Sequence, residues 1–160
     1  MQKQKLTRKI FCGRKKKLAI SVKVVGALSK YCPKENQPEA GGILLGHVYR
    51  DRDEIEEISI PSRFDKRGLF FFNRKKDTAQ LKINKAWHVS KGTLIYFGEW
   101  HTHSERTPSP SSIDKDMIKR ACEETKMGLD YLYLLIVGMN NTYWVGRQTQ
   151  DKLEKLREIC

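Results

Sequence analysis

His101 and His103 flank a single threonine at the end of an apolar segment that runs from Thr93 to His103. Side chains two apart on an extended strand share a face, at a backbone separation of roughly 6–7 Å, so two imidazoles placed this way can converge on one metal ion. Asp114 follows His103 by eleven residues and falls in the first turn of a helix that Ser111 is placed to cap. A carboxylate there is a natural third ligand. Two histidines and one aspartate suit zinc at about 2.0–2.1 Å and leave the fourth tetrahedral position to water, the pattern of a catalytic rather than a closed structural zinc. Glu99, two residues before His101, is a rival carboxylate on the same strand face, either a base or a group that orients an imidazole. His47 and His88 lack ligand spacing and read as structural or surface residues.

The elements that must position these residues follow from the apolar pattern. Ile10–Cys12 and Leu18–Ile20 read as short strands around a basic turn. Ser21 is placed to cap a helix in which Val24, Ala27, Leu28 and Tyr31 recur at helical spacing, and Pro33 ends it. Gly41–Arg50 reads as a buried strand, Asp51–Asp53 as a turn, and Glu54–Ile60 as the returning strand with Ile58 and Ile60 on one face. Ser62–Lys76 reads as a polar loop around Leu69–Phe72, after which Asp77 is placed to cap a helix through Ser90, with Gly92 just past its end. A helix from Ser111 to about Thr125 follows, then a hairpin of Tyr131–Met139 and Thr142–Arg147 around Asn140-Asn141, and a closing helix over Gln150–Cys160. Strands interleaved with three or four helices, with hairpins among them, define an α/β protein with a mixed sheet.

The 160 residues predict one domain over 1–160, with a basic N-terminal segment at 1–17. Hydrophobic residues are 39% and charged residues 31%, a balance that excludes collagen-like and wholly disordered chains. No apolar run reaches the roughly 18–20 residues of a membrane span, and the basic start lacks a signal-peptide core, so a cytoplasmic protein is expected. Cys12, Cys32, Cys122 and Cys160 are too widely spaced for a zinc knuckle or a Cys-x-x-Cys redox pair and suit reduced thiols. Net charge is +12, and nearly all of the excess lies early: 11 basic residues and no acid precede Glu35, whereas the remainder is nearly neutral. Such a run is either a solvated tail or a contact for an acidic partner. The basic segment 1–17 has Phe11 as its only aromatic, so nucleic acid is not the expected partner.

His101-Thr102-His103, seven residues, Ser111, two residues and Asp114 reproduce the His-x-His-x7-Ser-x2-Asp signature, and the chain resembles the JAMM (MPN-plus) metalloproteases. Gly98-Glu99-Trp100 and the run from Glu39 through Gly41-Gly42-Ile43-Leu44-Leu45-Gly46 are also similar to that family, and the likeness extends from about Ser21 to Arg147. The resemblance implies a JAB/MPN domain of cytidine-deaminase-like fold, a curved mixed sheet flanked by helices. It implies Zn²⁺ held by His101, His103 and Asp114, Glu39 as the carrier of a proton from water to the leaving amine, and Ser111 as donor to the oxyanion. The implied substrate is a peptide or isopeptide bond after the C-terminal tail of a ubiquitin-like or conjugated protein. Gly41-Gly42 would admit an extended tail, and Phe70–Phe72 could line its groove.

Ser104 stands where many relatives have proline, and the chain has no room for the insertions with which eukaryotic relatives grip ubiquitin. Both features depart from the ubiquitin-cleaving relatives; a compact stand-alone domain resembles the prokaryotic JAB group, and within it the size and basic N-terminus are similar to the JAMM peptidases of anti-phage CBASS operons. Those relatives deconjugate a cGAS-like nucleotidyltransferase, so the implied partner is such a protein's tail, met by a monomer or weak oligomer without a membrane. A sulfur-carrier or cysteine-pathway peptidase is the alternative with the same site. A non-catalytic basic binding module is the alternative from another class.

Overall fold

A computed structural model describes residues 6–62, 65–68, 71–73, 75–125 and 129–159. Strands β1 (Lys9–Cys12), β2 (Lys17–Ile20), β3 (Gly41–Val48), β4 (Arg52–Ile58), β7 (Ile95–Thr102), β8 (Leu132–Val137), β9 (Tyr143–Gln148), β10 (Leu153–Lys155) and β11 (Arg157–Ile159) form one mixed sheet. Its order is β10-β9-β8-β7-β3-β4-β2-β1-β11, while β5 (Lys66–Gly68) and β6 (Phe71–Asn73) pair as a separate hairpin. Helices α1 (Val22–Ser29), α2 (Lys76–Val89) and α3 (Ser112–Glu124) complete the α/β architecture expected from the pattern. No helix among the described residues is long and apolar enough to cross a membrane.

The sheet curls until its two ends nearly meet. Its outermost strands β10 and β11 are separated in the chain only by Leu156, whose N–H donates to the Val145 carbonyl at 2.8 Å. The concave face holds the main core, in which Val24, Val25 and Leu28 of α1 pack against Phe11, Leu18, Ile20, Leu44, Phe97, Trp100, Leu135 and Leu156. The other face carries α2 over Ile43 and Leu45, and α3 over Leu132, Leu134 and Ile136. Burial of each such aliphatic side chain contributes about 1.5–3 kcal/mol, which fixes the face each strand residue takes.

The seam is tied by polar groups as well. Asp53 is fully buried, and its Oδ2 accepts from the hydroxyls of Tyr131 (2.6 Å) and Tyr133 (2.7 Å). Lys16 Nζ lies 2.8 Å from Asp53 Oδ1, and Arg147 of β9 donates both to Tyr133 and to the Lys16 carbonyl. The turn between β1 and β2 is thereby fastened to β9. The basic N-terminal segment is accordingly not a tail from Lys9 onward, because β1 pairs with both β2 and β11.

Several expectations are corrected. Gln150–Cys160 is not a helix: its described part supplies β10 and β11, and Cys160 lies outside the described residues. Leu, Glu and Lys in this segment favour helix locally, but two unpaired strand edges offer it a full ladder of hydrogen bonds, and pairing overrides propensity. Ser62–Lys76 contains the β5–β6 hairpin rather than loop alone. Helix α2 begins at Lys76 with Lys75 at its N-cap, so Asp77 lies in the first turn and complements the helix dipole instead of capping. Helix α1 ends at Ser29, before Tyr31, and Ile60 lies past β4, 57% exposed. Ser21 does cap α1, accepting from the Val24 N–H at 3.2 Å, and Asn140 and Asn141 take the left-handed conformation their turn requires.

Candidate metal centre

The site is assembled by three short stretches, the residues before β3, the end of β7, and the start of α3. A bulge in β7 sets the orientation of the first histidine. Leu44 pairs with Gly98 but Leu45 pairs with Tyr96, leaving Phe97 as an extra residue. Phe97 and Trp100 thus both face the concave core, and Glu99 and His101 are turned to the face that carries α3. Gly98 at φ 136° makes the bulge feasible, since a Cβ there would lie 1.9 Å from the Tyr133 carbonyl oxygen.

Helix α3 rests on that same face through Ile118 and Cys122, with Met117 and Ala121 partly buried beside them. Asp114 is on this inward stripe, one turn before Ile118, so it meets the histidines. Ser111 and Asp114 form a reciprocal capping box. The Ser111 Oγ accepts from the Asp114 N–H at 3.1 Å, and Asp114 Oδ2 accepts from the Ser111 N–H at 2.7 Å.

The structure brings His101, His103 and Asp114 together. The two Nε2 atoms are 3.1 Å apart, Asp114 Oδ1 is 3.2 Å from His101 Nε2, and Asp114 Oδ2 is 3.2 Å from His103 Nε2. Ligand atoms on a tetrahedral zinc at about 2.0–2.1 Å are roughly 3.3 Å apart, so these separations suit a shared ion. Two imidazole nitrogens aimed at each other beside a half-buried carboxylate form a donor set that a divalent cation satisfies. Nδ1 of His103 is buried without a hydrogen-bond partner among the described residues, so no acceptor fixes the proton of that ring.

Glu39, 9% exposed, lies beside this group with Oε1 3.9 Å from His103 Nε2. Burial raises its pKa, against the opposing pull of the two histidines. Burial also opposes ionisation of Asp114, yet hydrogen bonds from both imidazoles and from the Ser111 N–H hold its pKa well below the ordinary value. For His103 burial disfavours the charge, but the Asp114 hydrogen bond and charge outweigh it and raise the pKa. Ser111 is exposed at the mouth of the site. Glu99 is buried on β7 and its Oε1 accepts from the Tyr96 hydroxyl at 2.6 Å, while among the described residues the group that could share an ion comprises His101, His103 and Asp114.

One feature escaped the sequence reading, and one expectation is corrected. Thr102, between the histidines, is bonded twice to Ala40: its N–H donates to the Ala40 carbonyl and its Oγ1 accepts from the Ala40 N–H, each at 2.9 Å. Only the alternation of His-Thr-His, which turns the threonine to the opposite face, could have signalled this. Gly42 does not admit a second chain, because the place of a Cβ there is filled by Ser59 and Trp100 of the protein itself. Phe70 lies outside the described residues, as do the side chains of Phe71 and Phe72. A groove of about 860 Å³ between α2 and α3, lined by Ile83, Trp87, Tyr96 and Ala121 among others, is separate from the histidine cluster.

A curved mixed sheet carrying such a cluster at one strand end now has a family. The family model described as prokaryotic homologs of the JAB domain matches residues 21–152, and the chain belongs to that family. Three curated relatives bear the name CD-NTase/cGAS isopeptidase. One from Pseudomonas aeruginosa is 36% identical over 105 residues, 66% of this chain and 66% of the relative. Those from Escherichia coli and Vibrio cholerae are 33% and 32% identical, covering 75% and 76% of this chain and 74% and 75% of their own lengths. The chain thus spans about two thirds to three quarters of these relatives. The solution structure of a protein from Desulfitobacterium hafniense shares the fold at a TM-score of 0.60 and 17% identity, over 85% of this chain and 87% of that one.

Proposed function

We propose that the chain is a zinc-dependent JAMM-type isopeptidase that deconjugates a cGAS-like nucleotidyltransferase (CD-NTase) from proteins joined to its C-terminus, in CBASS anti-phage defence. The observation that carries the chemistry is the convergence of His101, His103 and Asp114, with Glu39 beside His103. The names of the three relatives support the substrate.

His101, His103 and Asp114 would hold the zinc, two neutral imidazoles and one carboxylate forming a donor set of the right hardness for it. Bound there, zinc supplies a Lewis acid and lowers the pKa of water from 15.7 toward about 7. Asp114 meets the requirement for a permanently ionised ligand, since its pKa is depressed. Glu39 suits the proton work. Its pKa is raised by burial toward the operating range, and it takes a proton from the attacking water and returns it to the departing amine. Water adds to the carbonyl, the C–N bond breaks, and the products are a carboxylate and an amine. The Ser111 Oγ accepts from Asp114, which leaves its hydroxyl proton to be donated to the oxyanion of the tetrahedral intermediate.

The test is hydrolysis of a CD-NTase joined through its C-terminus to a reporter lysine. Cleavage at that bond, lost on chelation and restored by zinc, is expected. Cleavage that survives complete removal of metal, or an intact bond with zinc bound at one equivalent, overturns the reading.

A further inference from the structure

We infer that Thr102 is a positioning residue for catalysis: its side chain fixes Glu39 relative to the two histidines. The inference rests on Glu39 as the proton carrier.

Ladder pairing between β3 and β7 ends at Gly41 opposite His101. Glu39 lies beyond that end, where backbone pairing alone would let the chain fray. Two contacts prevent this. Thr102 extends the pairing by one residue, accepting the Ala40 N–H with its Oγ1 while its own N–H donates to the Ala40 carbonyl. The Glu39 N–H donates to the Gly68 carbonyl of β5 at 2.6 Å. Thr102 is 2% exposed and Ala40 2%, so no water replaces the hydroxyl if it is removed. By strand alternation the threonine faces away from the histidines, and its Oγ1 is engaged by the Ala40 N–H. Its hydroxyl therefore acts on the distance between Glu39 and the metal ligands, not on the ligands themselves.

Valine matches threonine in shape but offers no acceptor, and serine keeps the hydroxyl. Displacement of a catalytic group by about 1 Å costs on the order of 10²-fold. Thr102→Val is thus expected to lower kcat about 10- to 100-fold with KM nearly unchanged. Zinc should still bind with a Kd within roughly threefold of the unaltered protein, well under the tenfold that 1.4 kcal/mol represents. Thr102→Ser should restore turnover. Amide hydrogen exchange supplies a readout without turnover: the Ala40 N–H should exchange faster in Thr102→Val and at the original rate in Thr102→Ser.

Glu39→Gln separates the two claims. If Glu39→Gln retains turnover, the proton-carrier reading has failed, and this inference with it. If Glu39→Gln is inactive while Thr102→Val turns over normally, only the inference is overturned. It is overturned equally if Thr102→Val loses zinc, or if Thr102→Ser fails to restore kcat. On a Glu39→Gln background, Thr102→Val should cause no further loss, because the group it positions is already gone.

Discussion

Ser111 and Asp114 hold one another at the start of α3, and the Asp114 Oδ2 that accepts the Ser111 N–H is the same atom that lies 3.2 Å from His103 Nε2. Helix initiation and ligand orientation are therefore one interaction. It separates two contributions of Ser111. As an N-cap its loss to alanine costs about 1 kcal/mol, whereas glycine costs only a few tenths. As an oxyanion donor its loss costs on the order of 10²-fold in kcat, whichever residue replaces it. Urea unfolding of the zinc-free protein should rank Ser111→Gly above Ser111→Ala, while both lose turnover alike. Normal kcat in Ser111→Gly would remove the hydroxyl from the mechanism.

Glu39 illustrates a cost of function. Its folded pKa is raised above the ordinary 4.5 by burial, so the unfolded chain ionises first as pH rises. The folded state is thereby disfavoured at neutral pH, and the effect disappears below about 4.5, where the carboxyl is protonated in both states. In the chelated protein Glu39→Gln should be more stable than the original at pH 7, with the difference shrinking toward pH 4. The same variant should lose at least about 10²-fold in turnover. If Glu39→Gln is instead less stable than the original at pH 7, the pull of the histidines, not burial, governs this carboxyl.

How much of this was legible in the sequence differs between site and fold. The spacing of His101, His103, Ser111 and Asp114 is local to one strand and one helix start, and residues that close in sequence have few ways to be arranged. Glu39 is distant in the chain, and only the family likeness tied it to the histidines. Thr102 was invisible because its partner Ala40 is 62 residues away. The C-terminal segment was misread for the same reason. Leu156 belongs to the core and its neighbours to the sheet only because β9 and β1 come close enough to be bridged, and the groups on which Arg147 fastens that approach, Lys16, Tyr133 and Asp53, lie far from Leu156 or across another strand.

Asp53 should be a determinant of stability and not of catalysis. It receives two tyrosine hydroxyls and faces Lys16 at full burial, so its removal leaves these groups without their shared acceptor. Breaking a buried charged cluster by deleting one member costs roughly 3–5 kcal/mol. Asp53 lies at the start of β4, opposite the end of β3 that is remote from Glu39. Asp53→Ala should therefore lower the urea midpoint strongly and leave kcat unchanged at temperatures where the variant remains folded. A drop in kcat without a loss of stability would instead place Asp53 in communication with the metal centre.

The seam itself can be tested by a pair of residues. Leu156, 2% exposed, sits against Gly13, where an added Cβ would come within 2.5 Å of Leu156 Cδ2. Leu156→Ala should destabilise by about 2–5 kcal/mol through lost burial and a cavity. Gly13→Ala should destabilise on its own, since its methyl must push the leucine aside. Combined, the methyl that Gly13→Ala adds enters space that the truncated leucine has vacated. The double variant should then be more stable than the sum of the two single losses by about 0.5–3 kcal/mol, the range of coupling between residues in contact. Strict additivity in urea unfolding would mean that the turn after β1 does not bear on Leu156, and that the C-terminal strands do not close the sheet in solution.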